Sequence, residues 1–321
     1  MTSTLCAALQ QQGWPVRLLA LDQTGWLTLF AAARKSNVIL ASNNFRPAYV
    51  AWVLGLLLRK PVVVWVHGPL HEVLDQASAS GVKRAWLHWL YRRLPQFVFV
   101  SRASCDSFKR FMGHKLKPGQ RLTVVFNAVT MQPNRQDTHL KTASAEVKIQ
   151  LAYIGRLSQE KHPCLLLDML RLLPSQYQLT LVGDGPLRDV LRQQGADLLA
   201  SGRLSLLGQQ AHGPGLYAPW ALTLLASRYE GCPMTLLESL AMGVPCVGLP
   251  IPAIEEVVGN TAPCLLANDN TAQALADAVQ SVQQLPREQL QADMARVLER
   301  YRVQDFVRRW QNELQLAARA C

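Results

Sequence analysis

The stretch Ser227-Arg228-Tyr229-Glu230-Gly231-Cys232-Pro233-Met234-Thr235-Leu236-Leu237-Glu238-Ser239-Leu240-Ala241-Met242-Gly243 decides how the chain is read. It follows the apolar run 221–226, which has the character of a buried parallel strand. Residues 227–233 form a loop rich in breakers, and Pro233 suits the first turn of a helix. Residues 234–242 then read as a short helix, Gly243 as its left-handed cap, and 244–249 as the next strand. Glu230 therefore falls at the carboxyl end of a strand, and Glu238 one loop and about a turn of helix later. Strand ends of this kind border the crevices in which open α/β sheets bind ligands.

The same alternation runs outward from this stretch in both directions. Upstream, strands are expected at 149–154, 179–182 and 204–207, with helices at 163–173 and 187–194 between them. Downstream, 272–283, 287–301 and 305–318 carry helical periodicity. The amino-terminal half reads as a helix at 4–12 stopped by Gly13, a strand at 16–21, a helix at 24–35, a strand at 38–42 and a helix at 49–58. A strand at 62–66 ends in His67-Gly68. A helix at 82–94, a strand at 97–100, a helix at 103–112 and a strand at 124–126 complete it. Strand alternating with helix implies parallel sheets covered by helices on both faces. Residues 130–146 are polar, hold Pro133 and Asn134, and show neither period; they read as the linker.

Composition narrows the function classes. The chain has 321 residues, enough for two ordinary domains, of which 49% are hydrophobic and 17% charged. Its net charge of +11 calls for an anionic partner. No nucleic-acid-binding module is recognisable, so nucleic acid is not expected to be that partner. The seven cysteines are scattered and odd in number, and show no zinc-ligand spacing, as expected of reduced thiols in a cytoplasm. The start carries no basic segment followed by a long apolar one. The most apolar segment, 49–66, is interrupted by Arg59-Lys60-Pro61, and its first part is too short for the ~20 residues a spanning helix needs.

Three motifs carry chemistry. Gly155-Arg156-Leu157-Ser158-Gln159-Glu160-Lys161 follows a strand and offers two cations five residues apart. Gly183-Asp184-Gly185-Pro186-Leu187-Arg188 ends a strand and opens a helix, a pattern that by itself marks a tight turn. The third is the opening stretch, whose two glutamates eight residues apart would otherwise be two solvated surface acids. Glu-x7-Glu, with Glu-Gly-x-Pro at its start and Glu-Ser-Leu-Ala-x-Gly-x-Pro at its end, resembles the retaining glycosyltransferases of family 4. Gly-Arg-Leu-Ser-x-x-Lys and Gly-Asp-Gly-Pro-Leu-Arg resemble further motifs of that family.

The resemblance implies an α/β chain of the GT-B fold, two Rossmann-like domains facing across a cleft. Residues 1–135 would form the acceptor side and 145–303 the nucleotide-sugar donor side, with a helix at 304–321 crossing back onto the first domain. It implies Arg156 and Lys161 as the cations that meet the departing diphosphate, with no metal and no other cofactor. Asp-x-Asp, the usual metal-holding pair, does not occur. Glu238 would accept the ribose hydroxyls, and Glu230 and His67 would face the donor sugar. Gly155, Gly183 and Gly185 would line the donor site. In the segment Cys232-Pro233-Met234-Thr235-Leu236, the backbone N–H groups of every residue but Pro233 would hold sugar hydroxyls or phosphate at the helix start.

By the same resemblance the activity is retaining transfer of a sugar from a nucleotide-sugar, with uridine as the expected base. The acceptor would be a hydroxyl of a glycan or lipid-linked glycan, in cell-surface polysaccharide or lipopolysaccharide synthesis. The alternative is a catalytically impaired, nucleotide-binding subunit of the same build. Relatives start with a strand and a glycine-rich loop before the helix that stands first here, so that edge of the first sheet is expected to be lacking. Residues 82–94 set Arg84, His88 and Arg92 at i, i+4 and i+8 among Trp86, Trp89 and Tyr91. They are expected either as a core helix with a solvated basic stripe or as a weak contact with an anionic membrane, at its inner face.

Overall fold

Interior parallel strands are apolar on both faces because helices cover both, and Val62–Val66 shows this plainly. All five of its residues are buried, and β-branched side chains suit the extended backbone. A computed structural model of the chain describes residues 1–132 and 148–319. These residues divide into two units, one of Met1–Ala128 with Tyr301–Cys321 and one of Val129–Arg300. The segment expected as the linker lies mostly outside the described residues.

The first unit runs α1 (Thr2–Gln11), α2 (Trp26–Lys35), β1 (Ile39–Ala41), α3 (Arg46–Leu58), β2 (Val62–Val66), α4 (Leu70–Gln76), α5 (Gly81–Tyr91), β3 (Gln96–Phe99), α6 (Arg102–Met112) and β4 (Arg121–Val124). Its sheet is parallel throughout, in the order β1-β2-β3-β4, with Val64 opposite Phe97 and Phe97 opposite Leu122. Phe97, Phe99, Phe108 and Tyr91 are fully buried and fill the space between the sheet and α5 and α6.

Residues 16–21 do not form the expected strand. The segment lies outside the sheet, and Leu18 is exposed. Gln10 Nε2 donates to the Val16 carbonyl at 2.9 Å and Val16 N–H to the Trp14 carbonyl at 2.8 Å, which folds the segment back on α1. A β-prone run without a ladder partner gains too little to stay extended. Helix α4, unforeseen, starts directly after His67-Gly68-Pro69.

The second unit runs β5 (Ile149–Ile154), α7 (Cys164–Leu172), β6 (Tyr177–Val182), α8 (Arg188–Gln194), α9 (Ala196–Ala200), β7 (Leu204–Gly208), β8 (Leu222–Leu225), α10 (Met234–Ala241), β9 (Cys246–Gly248), α11 (Pro252–Val258), α12 (Ala272–Gln284) and α13 (Arg287–Leu298). The parallel sheet has the order β7-β6-β5-β8-β9. The chain builds outward from β5 through β6 to β7, then returns to the other side of β5 for β8 and β9. Strand order thus reverses between β5 and β8, and their carboxyl ends flank the switch point at which doubly wound sheets take ligands.

The last helix, α14 (Val303–Arg319), belongs to the first unit. Trp310 and Phe306 pack on Trp65 of β2, at ring-centroid distances of 4.7 and 5.9 Å. Buried Glu313 accepts from Gln96 at 2.7 Å and from two nitrogens of Arg121 at 3.1 Å each, joining α14 to β3 and β4. Among the described residues no helix is long and apolar enough to cross a membrane.

Candidate active site at the β5–β8 switch point

The loop after β5 is fixed from beneath. Tyr153, fully buried, donates its hydroxyl to the Arg156 carbonyl at 2.7 Å. Burial pushes the pKa of that phenol up, as do the carboxylates of Glu230 and Glu160, so it remains a proton donor. Ser158 Oγ donates to Glu160 Oε1 at 2.6 Å, and residues Gln159–Lys161 make one tight turn that ends at His162 in the left-handed region. The Arg228 N–H donates to the Glu160 carbonyl at 2.8 Å, joining this loop to the one after β8.

That junction brings two of the residues singled out above together. The Lys161 ammonium donates to Glu230 Oε1, and Ser227 Oγ donates to the same oxygen at 2.8 Å. The Glu230 side chain is 10% exposed and that of Lys161 28%. Arg156 is exposed, and no hydrogen bond or ion pair holds its guanidinium among the described residues.

Gly155, Gly183 and Gly185 have a packing reason for being glycine. The Gly155 N–H donates to the Val182 carbonyl at 2.9 Å, and Leu157 N–H to the Asp184 carbonyl at 3.0 Å. The loops after β5 and β6 are therefore in backbone contact. A Cβ on Gly183, whose φ is +134°, would lie 1.9 Å from the Gly155 carbonyl oxygen, and one on Gly185 2.4 Å from that of Leu157. Only glycine fits either place.

Helix α10 is set by its ends. Pro233 stands at its N-cap, one place before the first turn expected for it. The Met234 N–H bonds to the Cys232 carbonyl, and Thr235 uses its hydroxyl to donate to the Ile154 carbonyl at 3.3 Å, at the end of β5. At the other end Gly243, φ +74°, donates to Leu240 and Val244 to Ser239, each at 3.0 Å. These two bonds make the expected left-handed cap. Ser239 and Thr223 of β8, both fully buried, share a 2.7 Å hydroxyl bond that fixes the rotation of α10.

Glu238 sits next to that anchor. Its Oε2 accepts the Tyr217 hydroxyl at 2.8 Å and lies 3.1 Å from His212 Nε2. Tyr217 is fully buried beside Ala152, Ile154, Val182 and Val244. Burial first, then the Glu238 carboxylate, raise the pKa of its hydroxyl, so it acts as a donor only. Sequence reasoning missed Tyr217, His212 and Ser227. Ser227-x-x-Glu230 spacing was a usable signal; nothing in the sequence marks Tyr217 or His212.

His67 directly follows β2 in the first unit and is described with that unit. Its ring lies 4.5 Å from the Trp65 ring and bonds to the Ser42 backbone. It lines a cavity of about 220 Å³ with Asn43, Asn44, Phe45, Gly68, Leu70 and Val73. Burial lowers its pKa to about 4, so the ring is neutral at physiological pH.

The family model described as "Glycosyl transferases group 1" matches residues 134–297, just over half of the chain. The chain belongs to that family. This group 1 chain is 34% identical over 141 residues to N-acetyl-alpha-D-glucosaminyl L-malate synthase of Bacillus anthracis, which covers 42% of this chain and 36% of that protein. It is 30% identical over 138 residues to the lipopolysaccharide 1,6-galactosyltransferase of Escherichia coli (strain K12), 39% of this chain and 36% of that protein. Each match spans little more than a third of the relative. The crystal structure of Anabaena HepE in complex with UDP-glucose superimposes with a TM-score of 0.74 at 21% identity, over 96% of this chain and 88% of that one. The fold is GT-B, with two Rossmann-like domains of parallel sheet.

Proposed function

We propose that the chain moves a sugar from a nucleotide-sugar donor, a UDP-sugar, to a hydroxyl of a glycan or lipid-linked acceptor. The proposal includes retention of anomeric configuration, a place in cell-surface polysaccharide or lipopolysaccharide synthesis, and action in the cytoplasm. The observation that carries it is the Lys161–Glu230 ion pair at the switch point between β5 and β8. The names of the Bacillus anthracis and Escherichia coli relatives and the UDP-glucose held by Anabaena HepE support the same reading.

In the transfer, the bond from the anomeric carbon to the diphosphate oxygen breaks and its electron pair leaves with the diphosphate. The acceptor oxygen bonds to the same face of that carbon and passes its proton to the departing diphosphate oxygen. Negative charge grows on the diphosphate as it departs, so cations fixed beforehand stabilise the transition state more than the ground state. Lys161 has three donors and gives one to Glu230, which leaves two for phosphate oxygens. Arg156 adds a planar two-pronged donor, and the N–H groups of the first turn of α10 add dipoles. Tyr217 and His212 hold Glu238 Oε2, while Oε1 accepts no hydrogen bond among the described residues and serves a ribose hydroxyl. No metal ion enters the scheme.

A panel of nucleotide-sugars, first by thermal shift and then by product analysis, tests the reading. One UDP-sugar should raise the unfolding temperature and yield a product of retained configuration. Absence of any shift across the panel would reject it.

A further inference from the structure

We infer that the outer face of α3 and α5 in the first unit is a docking surface for an anionic lipid bilayer. Three observations lead there. The first is charge. The first unit holds 20 Lys and Arg against six Asp and Glu, whereas the second holds 13 against 16. The whole positive surplus of the chain therefore resides in one unit. Neither α3 nor α5 contains an acidic residue.

The second observation is the composition of the face. Val82, Ala85, Trp86, Trp89 and Arg93 follow one another at helical spacing, and Val82, Trp86 and Trp89 are 81%, 42% and 41% exposed. On α3, Leu56 and Leu57 are 66% and 61% exposed, and Tyr49 is exposed as well. The two helices meet in an aromatic seam, with Tyr49 5.5 Å from Trp86 and Trp52 5.1 Å from Trp89. Val82, Ala85, Trp86 and Trp89 border a shallow depression.

The third is the placing of the cations. Of the stripe expected from sequence, Arg84, His88 and Arg92, only Arg92 stays at the exposed face. Arg84 is tied to Asp75 at 2.6 Å and to the Ala79 carbonyl, and His88 stacks on Phe111 at 4.1 Å. Lys83, Arg92 and Arg93 carry no ion pair among the described residues and edge the aromatic row. The Arg93 guanidinium lies 3.9 Å from the centre of the Trp89 ring and donates to the Trp89 carbonyl at 2.9 Å, which steadies that indole.

Apolar side chains ringed by indoles, a phenol and unpaired cations match the boundary between headgroups and acyl chains. There the indoles sit at the interface and Lys or Arg reaches lipid phosphate. A protein partner would need acids spaced to meet the cations around an apolar patch; a bilayer supplies both along its whole surface. The inference stands apart from the sugar-transfer reading and does not depend on it.

Cosedimentation of the full chain with vesicles tests it, using pure phosphatidylcholine against phosphatidylcholine mixed with phosphatidylglycerol. Binding is expected to the mixed vesicles only, with a blue shift of tryptophan emission. Arg92→Ala with Arg93→Ala should lower partitioning about 25-fold, since each cation at an anionic surface contributes about fivefold. Val82→Glu and, separately, Trp86→Ser with Trp89→Ser should each lower it about tenfold or more. Val82, Arg92 and Arg93 are exposed, so unfolding temperatures should be unchanged in their variants, and the tryptophan variant is compared at a temperature where its circular dichroism shows it folded. Equal binding to neutral vesicles would overturn the inference, as would full binding by the tryptophan variant. So would a wild type that leaves vesicles alone and instead dimerises, or binds duplex DNA, through the same residues.

Discussion

Lys161 and Glu230, 69 residues apart in the chain, form an ion pair on the carboxylate oxygen that also accepts the Ser227 hydroxyl. The pair places one ammonium between two loops that leave adjacent parallel strands. Lys161→Ala should lower kcat by more than tenfold, because a charged hydrogen bond contributes about 1.5–3 kcal/mol and each ~1.4 kcal/mol is a factor of ten in rate. Glu230→Gln should cost less in nucleotide affinity than in kcat. Steady-state kinetics on both variants, with the double variant to measure coupling, check this. Simple additivity of the two effects would separate the residues.

Tyr217 gives Glu238 its buried hydrogen bond, and the phenol is held in place by full burial. Tyr217→Phe keeps the packing and removes the donor. Nucleotide affinity should fall about tenfold to a hundredfold, the worth of a hydrogen bond to a charged acceptor. His212→Ala should cost less, since His212 is mostly exposed. Calorimetric titration of nucleotide into each variant measures the difference.

Gly183→Ala should be among the most destabilising single changes in the second unit. The added Cβ would stand 1.9 Å from a carbonyl oxygen at a φ of +134°, and a clash with strain costs about 3 kcal/mol or more. Gly243→Ala is the control. Its Cβ would meet nothing within 4 Å, so only the left-handed backbone opposes it, at about 1–2 kcal/mol. Thermal or urea unfolding ranks the two.

Burial lowers the pKa of His67 to about 4, against 6.5 when unfolded. Between those values the unfolded chain binds more protons than the folded one, so stability rises with pH through that window. The contribution is fully present above about pH 6.5 and is lost as pH falls towards 4, about 3 kcal/mol in all. His67→Gln should flatten the dependence of stability on pH from 4 to 6.5, read by urea unfolding.

The sequence showed most clearly those features that depend on local chemistry. The all-apolar run of β2, the breakers before α10 and the cap at Gly243 all carry their reasons within a few residues. The features that failed depend on distant partners. Residues 16–21 have strand composition but no neighbour to pair with. The last strand of the first sheet is Arg121–Val124 and not 124–126, because register is set by pairing Gln96 with Arg121. Arg84, His88 and Arg92 share a helical stripe, yet Asp75 and Phe111, on other helices, take two of them out of it. The motifs that carry Arg156, Lys161, Glu230 and Glu238 were legible, and the fold brings Lys161 and Glu230 together. Of the groups that hold the two glutamates, Ser227 lies in the same stretch as Glu230, while Tyr217 and His212 come from the segment before β8.

The central claim is that protein cations, without a metal ion, meet the diphosphate of the donor. It is tested most directly by calorimetric affinities of the best-bound nucleoside diphosphate and of its parent nucleoside, with a chelator present throughout. The wild type should bind the diphosphate far more tightly than the nucleoside. Arg156→Ala with Lys161→Ala should remove at least about tenfold of that preference and leave nucleoside binding unchanged. An unaltered preference in the double variant, or a diphosphate that binds only after a divalent ion is restored, would contradict it.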